Sequence, residues 1–185
     1  MWSAVALIVL GVAVQAMPDS ADSEMLVAVA RRSVDGLRAA IARGANVKAR
    51  IPTADQVFDM PIICVIVEKN FAEGIRPVVL AGADPNSQCA FRSALDLAIS
   101  LHHANCVQEL IANGARVDGR DVFGVTPLQS AIEQGSDRIV AILLEAGATV
   151  GREALNDAFA LGNQRIIRLC NTRYNVMPDL AGLHL

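Results

Sequence analysis

Three residues of this chain stand at a spacing that could hold a metal or pair a nucleophile with a base: His102, His103 and Cys106. Residues three and four apart share one face of a helix, so an imidazole and the thiol could converge on a cation or exchange a proton. Tetrahedral zinc needs four converging donors, and the one remaining histidine is His184, far along the chain. Two carboxylate pairs, Glu73 with Asp84 and Asp118 with Asp121, lie among turn residues, where they read as caps rather than as an acid and its base. No glycine-rich loop follows a strand pattern, as a phosphate cradle would require. These residues predict no catalysis, no metal and no cofactor.

The elements that must position them are repetitive. Gly-Ala recurs at Gly44-Ala45, Gly82-Ala83, Gly114-Ala115 and Gly147-Ala148, at spacings of 38, 32 and 33 residues. A period near 33 indicates stacked helix pairs. Before the last dipeptide, Thr126 can accept the open N–H groups of a helix start, and Pro127 sits where a missing N–H costs nothing. Leu128, Ala131 and Ile132 line one face of that helix, and Gly135 supplies a left-handed turn. Ile139, Val140, Leu143 and Leu144 form the apolar stripe of a second, antiparallel helix, which Gly147 ends.

The same frame slides along the chain. One first-helix slot reads Met25, Ile62, Leu95, Leu128, Leu155 and another reads Ala28, Val65, Ala98, Ala131, Ala158. In the second helix the slots read Leu37, Ile75, Val107, Val140, Ile167 and Ala40, Val78, Leu110, Leu143, Cys170. Helices this short do not persist alone in water, so each copy must bury its stripe against a neighbour.

This combination resembles the ankyrin repeat over its whole length. The resemblance implies an all-α fold: an ankyrin-repeat solenoid of about five helix-turn-helix repeats with short β-hairpin loops. The copies fall at about 23–50, 56–87, 88–120 and 121–152, with a capping copy at 153–175, together a domain of 23–175 followed by a tail, 176–185. Copy two departs from the pattern. Its leading connection, Val47 to Asp59, is enlarged, it carries one extra residue, and Pro77 predicts a break in its second helix. Copy five has no room for a hairpin.

Within this frame His103 takes the position after the turn glycine, where ankyrin repeats often carry histidine, and His102 replaces the glycine itself. Cys106 and Cys170 fall on buried stripes, Cys64 takes the slot of Leu97, and Cys89 lies in a hairpin. Scattered over different copies, the four cysteines predict packed free thiols. One disulfide pairing, Cys64 with Cys89, stays open.

A net charge of −3 argues against a nucleic-acid partner, which needs a concentrated basic surface. The apolar stretch from Met1 to Val14 closes at Val14-Gln15-Ala16, a small-x-small site suited to signal peptidase, so 1–16 reads as a signal peptide. It is shorter than the ~20 residues of a membrane span, and none is expected after cleavage. No Lys or Arg precedes Arg31, so two alternatives remain: a start at Met17, giving a cytosolic adaptor, or an uncleaved tether.

The resemblance also implies a concave groove built from hairpin tips and first-helix ends, through which family members bind other proteins. Carried over, its positions are Val57, Phe58 and Asp59; Ala90, Phe91 and Arg92; Val122, Phe123 and Val125; and, on the first helices, Arg31, Glu68, Ser100, Leu101, Glu133 and Gln134. The reading is a non-catalytic protein binder. It resembles small exported bacterial ankyrin proteins, implying a periplasmic or secreted accessory, inhibitor or immunity protein acting on a partner enzyme or toxin. The alternative is a structural or membrane-tethered envelope scaffold. Arginines on the first and last copies predict a monomer.

Overall fold

The structure, a computed structural model, describes residues 20–52 and 59–174. The segment 1–16 and the tail 176–185 lie outside the described residues. So do Val57 and Phe58.

Among the described residues five helix pairs follow one another: α1 (Ala21–Ala30) with α2 (Val34–Ala42), α3 (Ile62–Glu68) with α4 (Ile75–Leu80), α5 (Ala94–Ser100) with α6 (Ala104–Ala112), α7 (Pro127–Glu133) with α8 (Asp137–Glu145), and α9 (Arg152–Leu161) with α10 (Gln164–Tyr174). Two antiparallel hairpins join the first three pairs. In one, β1 (Arg50–Pro52) pairs with β2 (Asp59–Pro61); in the other, β3 (Gln88–Cys89) pairs with β4 (Arg92–Ser93). The chain divides into two compact units, the first ending at Ala115 and the second beginning at Arg116. The fold is the all-α ankyrin-repeat one. No helix among the described residues is long and apolar enough to cross a membrane.

The apolar ladders form the core. Met25, Ile62, Leu95 and Leu128 are buried, as are Leu37, Ile75, Val107, Val140 and Ile167. Only Leu155, in the last pair, is half-buried. Each buried Leu, Ile or Val removes enough apolar surface from water to stabilise the fold by about 1.5–3 kcal/mol. In the first unit α3 packs on α5, and α4 packs on both α2 and α6; in the second, α7 packs on α9 and α8 on α10.

Local signals act as the sequence predicts. Thr126 caps α7 reciprocally: its hydroxyl accepts from the Gln129 N–H at 3.3 Å while the Gln129 side chain accepts from the Thr126 N–H at 3.1 Å. Ser93 and Asp96 build the same box on α5, and Ser20 and Ser23 build it on α1. The Gly-Ala dipeptides close the second helices, with φ from +91° to +104° at the glycines. There the Ala148 N–H returns to the Leu143 carbonyl.

The turn inside each pair holds a surprise of composition. Gly135 makes it at φ +66° in the fourth pair, but Arg32, Asn70 and His102 make it at +51°, +50° and +57° in the first three. A Cβ in this region costs roughly 1 kcal/mol, least for Asn. His102 therefore does the work of a glycine, and its neighbour His103 takes a bond to the preceding pair: Nδ1 lies 2.9 Å from the Val67 carbonyl oxygen.

The break expected at Pro77 is present, one turn earlier than the proline. A 3₁₀ turn at Ala72–Gly74 precedes α4, which starts at Ile75 and so places Pro77 in its first turn, where no N–H is needed. The extra residue is absorbed beside it. Phe71 is buried, and its ring lies so close to Gly74 that a Cβ there would stand 2.6 Å from the ring.

One expectation is overturned. Cys64 and Cys89 are not free thiols but a disulfide, with Cα atoms 5.7 Å apart. Both are buried, Cys64 on α3 and Cys89 at the base of the following hairpin, so they are brought together by the packing of copy three on copy two. Cys106 and Cys170 are free and buried, as their slots predict.

Candidate functional site

The residues of the candidate surface fall into two sets, one in each unit. In the first unit, Phe91 crowns the β3–β4 hairpin and is 64% exposed, with Arg92 exposed beside it. The hairpin is minimal: two residue pairs, Gln88 with Ser93 and Cys89 with Arg92, joined by Ala90 and Phe91. Alignment with Gly124 puts Phe91 at the glycine position, yet the left-handed residue is Ala90, at φ +59°. Leu101, at the end of α5, is 39% exposed, and Ser100 is half-buried with its hydroxyl donating to the Leu97 carbonyl. Glu68 is exposed at the end of α3. Partial desolvation raises its carboxyl pKa, against the neighbouring Lys69 ammonium, which lowers it. Arg31 is exposed, and Asp59 lies on β2 with its carbonyl accepting from Arg50.

In the second unit, Phe123 is 84% exposed and Val122 69%, at the tip of the loop 120–126, while Val125 is half-buried. This loop holds its shape through one carboxylate. Asp121 Oδ1 accepts from the N–H groups of Phe123 and Val125, both at 2.9 Å, and the Asp121 N–H donates to the Val125 carbonyl. Arg120 adds a bond to the Gly124 carbonyl. Glu133 and Gln134 are exposed at the end of α7.

Of the carboxylates that stand in pairs in the sequence, Asp84, Asp118 and Asp121 accept hydrogen bonds from neighbouring backbone N–H groups. Asp118 accepts from both the N–H and the hydroxyl of Thr149, at 2.9 and 3.0 Å, tying one repeat to the next. Asp84 accepts from the Asn86 N–H. Cys106 likewise faces the core: burial, with Glu73 nearby, pushes its thiol up to about 11, so it is a poor nucleophile at neutral pH. Burial also raises the Cys170 thiol.

Sequence reasoning overlooked several exposed apolar residues. Leu80, on α4, is 77% exposed at the edge of a cavity of about 280 Å³ whose rim carries Arg38 and Arg76. Phe159 is 57% exposed on α9, at the slot that the buried Ile132 fills on α7. A second cavity of about 380 Å³ lies between the 47–50 segment, the start of α3 and the 82–87 turn. The extra exposure at Leu80 has a signal in the sequence: it follows Pro77 in the shortest second helix.

An array of short helix pairs with projecting aromatic tips is a class of protein built to present a surface. Ankyrin repeats in three copies match residues 63–154, and this region of the chain belongs to the ankyrin-repeat family. The chain is also similar to the E3 ubiquitin-protein ligase KEG of Arabidopsis thaliana, 32% identical over 83 residues covering 44% of this chain and 5% of that protein. It is similar as well to the glycerophosphocholine phosphodiesterase gde1 of Schizosaccharomyces pombe, 29% identical over 118 residues covering 60% of this chain and 10% of that one. The chain thus spans a tenth or less of the length of these curated relatives. The ankyrin repeat is a non-catalytic, protein-interaction fold.

Proposed function

We propose that this chain is an exported accessory, inhibitor or immunity protein that binds a partner enzyme or toxin through its fingertips and first-helix ends. The observation that carries the binding reading is Phe123, 84% exposed on a tip whose backbone is pinned by Asp121. A rigid exposed ring gives a partner a large area to bury at small cost in entropy, which is the character of an interface anchor. Phe91 offers the same on its own hairpin. Export is supported by the apolar 1–16 stretch with its Val14-Gln15-Ala16 site and by the Cys64–Cys89 bond, since disulfides persist in oxidising compartments.

The test is a native pull-down with the C-terminally tagged protein, followed by Phe123→Ala and Phe91→Ala. A stoichiometric partner should be lost or weakened by about 2 kcal/mol or more per anchor, while the thermal melt stays in place. A bait starting at Met17 and recovered outside the cytosol agrees with export, whereas one starting at Met17 inside the cytosol would favour the adaptor. Undiminished capture by the double variant, or variants that unfold, would sink the anchor assignment; a bait keeping Met1 in membranes would favour the tethered scaffold.

A further inference from the structure

The 88–93 hairpin, which carries Phe91 and Arg92, is anchored at its base, where Ser93 shares the capping box of α5 and the Ala94 N–H donates to the Ser87 carbonyl, but its turn lacks the organiser of the fourth repeat. It has two residue pairs, a residue with a Cβ at positive φ in its two-residue turn, and glutamine at position 88, where the fourth repeat has the organising Asp121. Its firmest tie is the bond from Cys89 to Cys64. Cys89 takes the slot of Val122, yet Val122 is 69% exposed and Cys89 is 4% exposed, drawn down onto α3.

We propose that Cys64 and Cys89 are positioning residues for an interaction surface: their disulfide, bridging the first helix of copy two to the finger of copy three, holds the Phe91–Arg92 tip in its presenting geometry. That surface is complete only in the oxidised protein. The proposal rests on the reading of these tips as partner-binding and adds the condition under which one of them is formed. Both sulfurs are buried, so once formed the bond is shielded from thiol attack. Forming it withdraws two electrons and two protons from the two thiols. A disulfide oxidant, of the oxidoreductase or glutathione-disulfide class, accepts them: one cysteine thiolate attacks the oxidant's S–S bond and expels a thiolate, and the other cysteine then displaces the oxidant's second sulfur, which leaves as a thiol.

The experiment is backbone ¹⁵N relaxation on the full chain in three states: oxidised, reduced with a phosphine, and as the Cys64→Ser/Cys89→Ser variant. In the oxidised protein residues 88–93 should show order parameters of about 0.85; on loss of the bond they should fall below ~0.6, while α3, α5 and the 120–126 loop keep theirs. Unchanged values at 88–93 would overturn the proposal, because the hairpin would then hold itself. An equal fall across α3 and α5 would also overturn it, since the bond would be a staple for the whole array. Thiol titration under denaturing conditions should count two reactive cysteines in protein taken from its native compartment, and a count of four would overturn it as well. These readouts need no partner, so the two readings fail separately. An ordered finger that captures nothing defeats the binding function, and a partner held equally by the reduced protein defeats the lock.

Discussion

Two fingers of the same repeat family reach the surface here by different means. The 120–126 loop carries its own organiser: Asp121 gathers the N–H groups of Phe123 and Val125, and Gly124, at φ +81°, makes the left-handed turn without penalty. In the 88–93 hairpin the glycine position is Phe91, the aspartate position is Gln88, and the left-handed turn falls to Ala90. Hydrogen bonds within the loop give way to a covalent bond to the preceding repeat. The difference teaches that a fingertip can be held from inside or from below, and that the second way ties its geometry to a bond between repeats.

The comparison can be broken most strongly at its covalent member. Cys64→Ser with Cys89→Ser removes a closure spanning 25 residues and should lower unfolding stability by about 2–4 kcal/mol in urea, with native helicity retained below the transition. A loss of only a few tenths would mean that the closed loop constrains the unfolded chain little. Next comes Asp121→Ala, which strips two N–H groups of their acceptor and should cost about 1 kcal/mol. Asp121→Asn, keeping an acceptor, should recover most of it; equal losses for Ala and Asn would assign the effect to charge.

The smallest effects sharpen the contrast because their signs oppose. Gly124→Ala should destabilise by about 1 kcal/mol through its positive φ alone, since no atom lies within 4 Å of an added Cβ. Ala90→Gly should stabilise by roughly 0.5 kcal/mol, relieving the strain of φ +59°. Denaturation midpoints on the pair decide it. Two shifts of the same sign would mean that the turn assignments are wrong.

The fold was legible because a ladder is read many times over. Met25, Ile62, Leu95 and Leu128 share one physical demand, and each copy corroborates the others, so even the irregular second copy could be placed in register. The fingers were less legible because each is read once. In the repeat frame Cys89 matches an exposed valine, so the frame itself argues against its burial; only the change from Asp121 to Gln88 hints that this hairpin must be held some other way. Phe91 and Phe123 were found as tips from their loop positions, but that the left-handed residue is Ala90 follows from strand pairing that no frame contains. The exposure of Leu80 likewise depends on how far Pro77 and the buried Phe71 shorten α4.

The Cys64–Cys89 bond encloses residues 65–88, and within that ring lie the 3₁₀ turn, Pro77 and the six-residue α4, the least regular stretch of the described array. A helix of that length cannot nucleate by itself, and its neighbours must come to it across a search that lengthens with the intervening chain. Closing the ring early in folding would tether the ends of that search. The repeat least able to find its own shape is the one for which the sulfur bridge shortens the way.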